Sequence, residues 1–316
     1  MVRKSWYAIL TLLLLSPFTA EVLTGATTFP QFINPIGLGI LVGLYGLGAL
    51  LIRETRIRLS IGYGGILLLG FAYGVIEEGI AVKSFFDPYW KDLGIFGVYG
   101  RWLGVNWVWS LYLTIFHSVW SILAPIILVE ALYPDILDKS WIGKKGLAIS
   151  LTLFSIDVIL INLLLTKYRP SPIYYLGCLM IIAILVYYVY GPMAMKSKEH
   201  IVKPDIGPKR YGLYWALWGS CFFVFFYVIS ALTPLPLIPL TLGVLVGYIA
   251  YVLARQMDAF KQSLLHRYWL YTGIVVVLLF IDILQSLQLN IERLVTTILA
   301  VIVLTIMYRR VRRCIT

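Results

Sequence analysis

The stretch from Val105 to Glu130, in the second quarter of the chain, reads VNWVWSLYLTIFHSVWSILAPIILVE and indicates the fold. About twenty mostly apolar residues in a helix cross the hydrocarbon core of a bilayer, and this stretch is long enough. On a helix that turns about 100° per residue, its polar residues share one narrow stripe, formed by Asn106, Ser110, Thr114, His117 and Ser121. The pattern predicts a spanning helix whose polar stripe faces protein or water and not lipid.

The rest of the chain has the same apolar character. Of its 316 residues, 60% are hydrophobic and only 13% are charged, whereas charged residues make up about a quarter of a soluble domain. We therefore predict an all-α, polytopic transmembrane helix bundle that forms one integral membrane domain over residues 1–316. About ten spans are expected, near 6–24, 35–52, 59–80, 105–130, 147–166, 173–194, 212–232, 235–254, 269–287 and 292–308.

The positive charge predicts the orientation of these spans. All but six of the 26 Lys and Arg residues lie in segments on one side of the predicted membrane, namely 1–4, 53–58, 139–145, 196–210, 255–267 and 309–313. Positively charged loops remain in the cytoplasm, so both termini are expected there and the protein in the cell membrane. The net charge of +11 then favours anionic membrane lipids as partners, and not nucleic acid.

The first span has two interpretations. Its basic start and the apolar run from Trp6 to Leu15 resemble a signal peptide, and Thr24-Gly25-Ala26 is a plausible cleavage site. We favour a retained helix because the apolar character continues to Leu23, which is long for a signal peptide. Cleavage would remove Glu21.

Ionisable residues inside the predicted spans are the candidate functional groups. Such residues are costly in a bilayer and usually face the bundle interior or an aqueous cavity. Six polar residues are candidates for a substrate or proton pathway: Glu21, Glu78, Asn106, Ser110, His117 and Asp157. Glu77, Glu78 and His117 are also the candidate catalytic residues if the protein is a hydrolase.

Their predicted depth brings most of these groups together. Gly70 and Gly74 share a face with Glu78, and small residues let a neighbouring helix approach closely. If every span starts at the same boundary, Glu77 and Glu78 lie near the external surface. His117 then lies about 18 Å below that surface, at 1.5 Å per residue. We therefore expect Glu21, Glu77, Glu78, Asn106 and Ser110 to meet in the outer half of the bilayer, with His117 beneath them.

The external loop 83–104 is rich in aromatic residues. An interfacial aromatic belt is the favoured interpretation, since Trp and Tyr accumulate at headgroup level. The alternative is a re-entrant cap over the acidic residues. In the cap interpretation Lys83 and Arg101 pair with Glu77 or Glu78. The same ion pairs are expected if the two glutamates are interfacial groups without a functional role.

Two resemblances accompany these patterns. The pair Glu77-Glu78 and the later His117 resemble the motifs of the CAAX-protease and bacteriocin-processing intramembrane metalloproteases, in which a glutamate activates water. The arginine of that family's first motif is absent after Glu78, and Ser121 stands where its histidine motif has asparagine. The stretches Tyr73–Gly79 and Tyr99–Trp109 resemble a group of uncharacterised prokaryotic membrane proteins, which implies a membrane fold without implying an activity.

Three functions fit the sequence. The favoured one is a secondary transporter or permease for a small molecule or ion, because ten helices with intramembrane carboxylates suit movement through a bilayer. The alternative is an intramembrane metal-dependent hydrolase or lipid-modifying enzyme, and the third is a structural or assembly subunit. The sequence assigns no metal or cofactor and leaves open whether the protein is an enzyme.

Overall fold

A computed structural model describes residues 2–193, 205–260, 263–286 and 291–315. The basic residues between 196 and 203, His200 and Lys261 lie outside this part of the chain. The described residues include ten helices that are long and apolar enough to cross a membrane, which confirms the predicted number and the helical fold class. These helices are α1 Arg3–Val22, α2 Pro35–Leu59, α3 Tyr63–Ala81, α4 Trp107–Leu132, α5 Lys144–Leu165, α6 Pro172–Pro192, α7 Pro208–Leu232, α8 Leu237–Ala259, α9 Leu264–Ser286 and α10 Glu292–Arg313.

Short elements connect the spanning helices. A one-turn helix, Phe29–Ile33, precedes α2 and has a capping box in which Thr28 and Gln31 bond each other's backbone. Two 3₁₀ turns cover Gly94–Phe96 and Pro134–Ile136. Strands β1 (Arg101–Trp102) and β2 (Val105–Asn106) form an antiparallel hairpin just before α4.

Helix α4 is the centre of the bundle. It is buried along its length, and α1, α2, α3, α8 and α9 contact it. A Cβ atom on Gly70 would lie 2.8 Å from the Cα of Ser118, and one on Gly74 would lie 3.0 Å from the Cα of Thr114. The two glycines therefore set the close packing of α3 on α4, because a larger residue at either position would push the helices apart.

The segment 83–104 lies over one end of α3 and α4. Phe85, Phe86 and Phe96 are buried, and the Phe96 ring packs 5.6 Å from that of Trp109. Tyr89 and Trp102 are exposed. The aromatic residues thus divide between an inner set that covers the helix ends and an outer set that remains on the surface.

Candidate functional site

Two carboxylates and one imidazole form a buried group that we call the acidic cluster: Glu77 and Glu78 of α3 and His117 of α4. The Nδ1 atom of His117 lies 3.0 Å from Glu77 Oε2, and its Nε2 atom lies 3.0 Å from Glu78 Oε1. The side chains are nearly inaccessible, with residue exposures of 1% for Glu77, 8% for Glu78 and 4% for His117. One imidazole therefore bridges two neighbouring glutamates inside the bundle.

Local helix geometry explains how adjacent glutamates reach one ring. Neighbouring residues of an α-helix point about 100° apart, but α3 widens into a π-helix over Ile76–Ala81. Helix α4 does the same over His117–Leu123, beginning at the histidine itself. Widened turns of this kind are frequent at functional sites because they redirect side chains. Within the described residues, five further π segments occur, in α1, α2, α5, α6 and α7. The widened turns therefore support a functional site but do not identify one by themselves.

The predicted depth of His117 beneath the glutamates is wrong, because the three side chains are in contact. That depth assumed that all spans start at one level. Helix α4 has 26 residues, which at 1.5 Å per residue give about 39 Å, longer than the hydrocarbon core of about 30 Å. Its first turns extend into the layer formed by segment 83–104, and this offset brings His117 level with the end of α3.

Glu21 is connected to the region of the acidic cluster through Tyr45. The Tyr45 hydroxyl donates a hydrogen bond to Glu21 Oε1, and Thr27 donates to Oε2. The ring of Tyr45 lies 6.0 Å from that of His117. Both Glu21 and Tyr45 also occupy π-helical segments, Phe18–Val22 and Val42–Gly46.

Serine hydroxyl groups contact the side chains of the acidic cluster. Ser84 donates to Glu78 Oε2, and the Ser84 oxygen accepts from Trp109 Nε1 at 3.0 Å. Ser121 Oγ lies 3.0 Å from His117 Nδ1. Sequence reasoning placed Ser121 on the polar stripe but missed Ser84, which follows the end of α3 by three residues and carried no periodic signal.

The remaining pathway candidates lie elsewhere. Asn106 caps the start of α4, accepting from the backbone N–H of Trp109 at 3.0 Å, and Ser110 donates to the Asn106 carbonyl at 2.6 Å. Asp157 packs against α2, where a Cβ on Gly43 would lie 2.8 Å from its Cγ. Within the described residues none of these three side chains bonds the acidic cluster.

The predicted pairing of Lys83 and Arg101 with the glutamates is wrong. Lys83 is buried and its Nζ donates to the Asn162 carbonyl at 2.6 Å, where the end of α5 presents unpaired carbonyls. Arg101 donates to the Phe86 carbonyl at 2.9 Å. Both cations bind backbone carbonyls because the glutamates point inward, toward α4.

The acidic cluster lacks positive charge. With both glutamates ionised its formal charge is −1 when His117 is protonated and −2 when it is neutral, and in the described part of the chain neither Glu77 nor Glu78 forms an ion pair with Lys or Arg. Glu77 Oε2 is buried without a hydrogen-bond partner of suitable geometry there, and so is the Tyr73 hydroxyl. Buried uncompensated charge is strongly unfavourable, so the arrangement is suited to a bound cation.

A second buried group, which we call the arginine network, lies farther along α4. It consists of Arg53, Arg56, Tyr63, Glu130 and Arg267. Glu130 pairs with Arg56 Nη1 at 3.1 Å and with Arg267 Nη1 at 2.9 Å, and it accepts from the Tyr63 hydroxyl at 2.6 Å. The Nε atom of Arg53 lies 3.5 Å from Glu130.

Sequence reasoning missed the arginine network. The three arginines lie in basic segments that were predicted on the cytoplasmic side, outside the spans. In the structure α2 continues to Leu59, beyond the predicted end at 52, and Arg53 and Arg267 are fully buried. Glu130 stood at the predicted end of its span and was not singled out. Arg53 and Arg56 are three residues apart, and this spacing places both side chains on one face of a helix, from which they can reach the same partner. This spacing was the signal for the network that the sequence contained.

Comparison with known proteins supports the membrane assignment. A family model described as an uncharacterised membrane protein family matches residues 10–312. A curated relative from Archaeoglobus fulgidus, described only as an uncharacterised protein, is 28% identical over 120 residues, which are 38% of this chain and 36% of that protein. The match thus spans about a third of the relative, and no solved structure matches the chain. The resemblance to metalloproteases gains no support, whereas the resemblance to uncharacterised membrane proteins is confirmed: the chain belongs to this uncharacterised membrane protein family.

Proposed function

We propose that the protein is a secondary transporter that binds a cation, a proton or a metal ion, at the acidic cluster. The observation that carries the proposal concerns Glu77 and Glu78, which lie inside a spanning helix. Among the described residues only His117 pairs with them, and no Lys or Arg does. Intramembrane carboxylates that face the bundle interior commonly mark ion pathways. The partly exposed Glu21, bonded to Tyr45, supports an approach to the cluster from that end of α1.

The proposed transporter is a single integral membrane domain with a defined orientation in the membrane. Both termini are placed in the cytoplasm of a cell-membrane protein, because the basic segments lie on that side. Exposed Cys314 near the C-terminus provides the test. In a Cys221→Ser background, a membrane-impermeant maleimide should label Cys314 only after the cells are permeabilised. Equal labelling of intact cells would overturn the orientation.

Flux through proteoliposomes tests transport directly. Vesicles containing the protein should take up protons or metal ions down an imposed gradient, reported by entrapped pH-sensitive and metal-sensitive dyes. Glu78→Gln and His117→Ala should abolish the uptake, whereas Asp157→Asn, a carboxylate outside the cluster, should retain it. Unchanged uptake in Glu78→Gln and His117→Ala would refute the proposal.

The second candidate is an intramembrane metal-dependent hydrolase or lipid-modifying enzyme. The observation in its favour is that one donor atom each from Glu77, Glu78 and His117 lie within 4.8 Å of one another, beneath segment 83–104. In this reading a glutamate acts as general base and His117 as ligand or acid. Mass spectrometry of native lipids incubated with the protein should then show products that Glu78→Gln does not form.

A further inference from the structure

The chemistry of the acidic cluster narrows the class of cation. Its donors are two carboxylates and one imidazole, each able to offer one ligand atom, and these atoms lie within 4.8 Å of one another. Two ligands that bind one ion at about 2.1 Å each are at most about 4.2 Å apart. The side chains are therefore within a small movement of a common ion, without any change in the packing of α3 on α4.

One carboxylate oxygen of the acidic cluster makes no well-aligned hydrogen bond. Glu77 Oε2 belongs to a residue that is 1% exposed, and within the described residues its contact with His117 Nδ1, at 3.0 Å, lacks hydrogen-bond geometry. A buried carboxylate oxygen without a well-aligned donor is a rare arrangement. A cation between the two glutamates would satisfy it.

The side chains of the acidic cluster make outer hydrogen bonds of the kind found around metal ligands. Ser121 Oγ lies beside His117 Nδ1, so Nδ1–H can donate to it and leave Nε2 as the ligand atom. Ser84, itself held by Trp109, orients Glu78. Metal ligands are usually held by such outer hydrogen bonds, which fix the tautomer of histidine and the orientation of carboxylates.

We infer that the acidic cluster is a binding site for a divalent transition-metal ion, with Glu77, Glu78 and His117 as its protein ligands. A neutral imidazole with two carboxylates gives a charge of −2, which a divalent ion neutralises. Imidazole suits zinc and related transition metals, whereas Mg²⁺ and Ca²⁺ prefer sites made of oxygen alone. That this ion is the substrate of a transporter rests on the function proposed above. Binding of the ion can be measured separately from transport.

The test is metal binding by the full-length protein in detergent, after removal of metal with a chelator. Equilibrium dialysis against Zn²⁺ or Mn²⁺, read by elemental analysis, should give about one ion per chain. Glu77→Gln and His117→Gln should raise the Kd at least about tenfold, a loss typical of perturbed metal sites, and Asp157→Asn should leave it unchanged. Co²⁺ should give a visible absorption spectrum that His117→Gln alters. Mg²⁺ should not compete at equal concentration.

Several results would overturn the inference: no binding by folded wild-type protein, binding that survives in both variants, or equal competition by Mg²⁺. Circular dichroism and size-exclusion profiles establish that each variant is folded before its affinity is compared. The two proposals fail separately. Metal binding in detergent without flux in proteoliposomes would overturn transport and retain the site, whereas proton flux without metal binding would retain transport and overturn the metal site.

Discussion

The acidic cluster and the arginine network lie on the same central helix, but they differ in how their buried charges are paired. His117 and Glu130 are separated by roughly 20 Å along α4. Glu130 is surrounded by Arg53, Arg56 and Arg267 and also accepts a hydrogen bond from Tyr63. Glu77 and Glu78 share one imidazole, and within the described residues Glu77 Oε2 makes no well-aligned hydrogen bond although it lies 3.0 Å from that imidazole.

This difference indicates a structural role for the arginine network and a binding role for the acidic cluster. The arginine network joins α2, the start of α3, α4 and α9, and each of its charges has a partner inside the protein. Glu130 pairs with Arg56 and Arg267, and Arg53 pairs with the buried Glu54 at 2.9 Å. The acidic cluster joins α3 and α4, and with both glutamates ionised the one imidazole does not balance them within the described part of the chain. A buried charge that the protein does not balance itself is suited to an exchangeable ion. Substitutions at the two groups should therefore have opposite consequences.

The largest effect is expected at Glu130. Glu130→Gln leaves three buried arginines without their shared carboxylate, and breaking a buried ion pair costs about 3–5 kcal/mol. The apparent melting temperature in detergent, followed by circular dichroism, should fall sharply or the protein should fail to fold. A melting temperature equal to that of wild type would remove the structural role of the arginine network.

A smaller loss is expected at the glycine contact beside the acidic cluster. In Gly70→Ala the new methyl group would lie 2.8 Å from the Ser118 Cα, a backbone atom that cannot move away freely. Overpacking of this kind costs about 1–3 kcal/mol. Gly177→Ala in α6 is the matched control, because no atom of the described residues lies within 4 Å of its Cβ position. Equal melting temperatures for the two variants would contradict the close α3–α4 contact.

Glu77→Gln is the counterpart of Glu130→Gln and should behave differently. It removes one uncompensated negative charge, so the free energy of unfolding should change by less than about 1 kcal/mol or increase. Metal affinity should fall in the same variant. A loss of stability as large as that of Glu130→Gln would show that the acidic cluster is structural, which is the third function considered from the sequence.

The smallest effect is expected at Lys83, a buried lysine that does not pair with the acidic cluster. Burial, with Arg169 nearby, lowers the pKa of Lys83 from 10.5 to about 8. Between these values the unfolded state holds the proton and the folded state does not, so stability should rise with pH above about 8, by well under about 1 kcal/mol by pH 9 after allowance for solvent screening. Below pH 8 both states are charged and stability should not change with this group.

The control for this prediction is Lys83→Met, which should lack the rise. Unfolding followed in detergent at pH 7, 8 and 9 measures it for both proteins. An identical pH profile in the two would place the amine in water, in conflict with its hydrogen bond to the Asn162 carbonyl.

The ten-helix membrane fold could be predicted from the amino-acid sequence, because the length and apolarity of each span are local properties. It also pointed to Glu77, Glu78 and His117, since ionisable residues in apolar spans are conspicuous wherever their partners lie. Gly70 and Gly74 indicated the face of α3 that α4 contacts.

Which charged side chains contact each other could not be predicted and became apparent from the packing of the helices. The offset of α4, the widened turns at Glu77 and His117, and the continuation of α2 past Arg53 depend on packing between helices, which no single span encodes. Arg267 and Glu130 are 137 residues apart in the chain, and only folding shows that they form a pair. Periodicity identifies the face a residue occupies, whereas the helix opposite that face determines whether its charge is balanced.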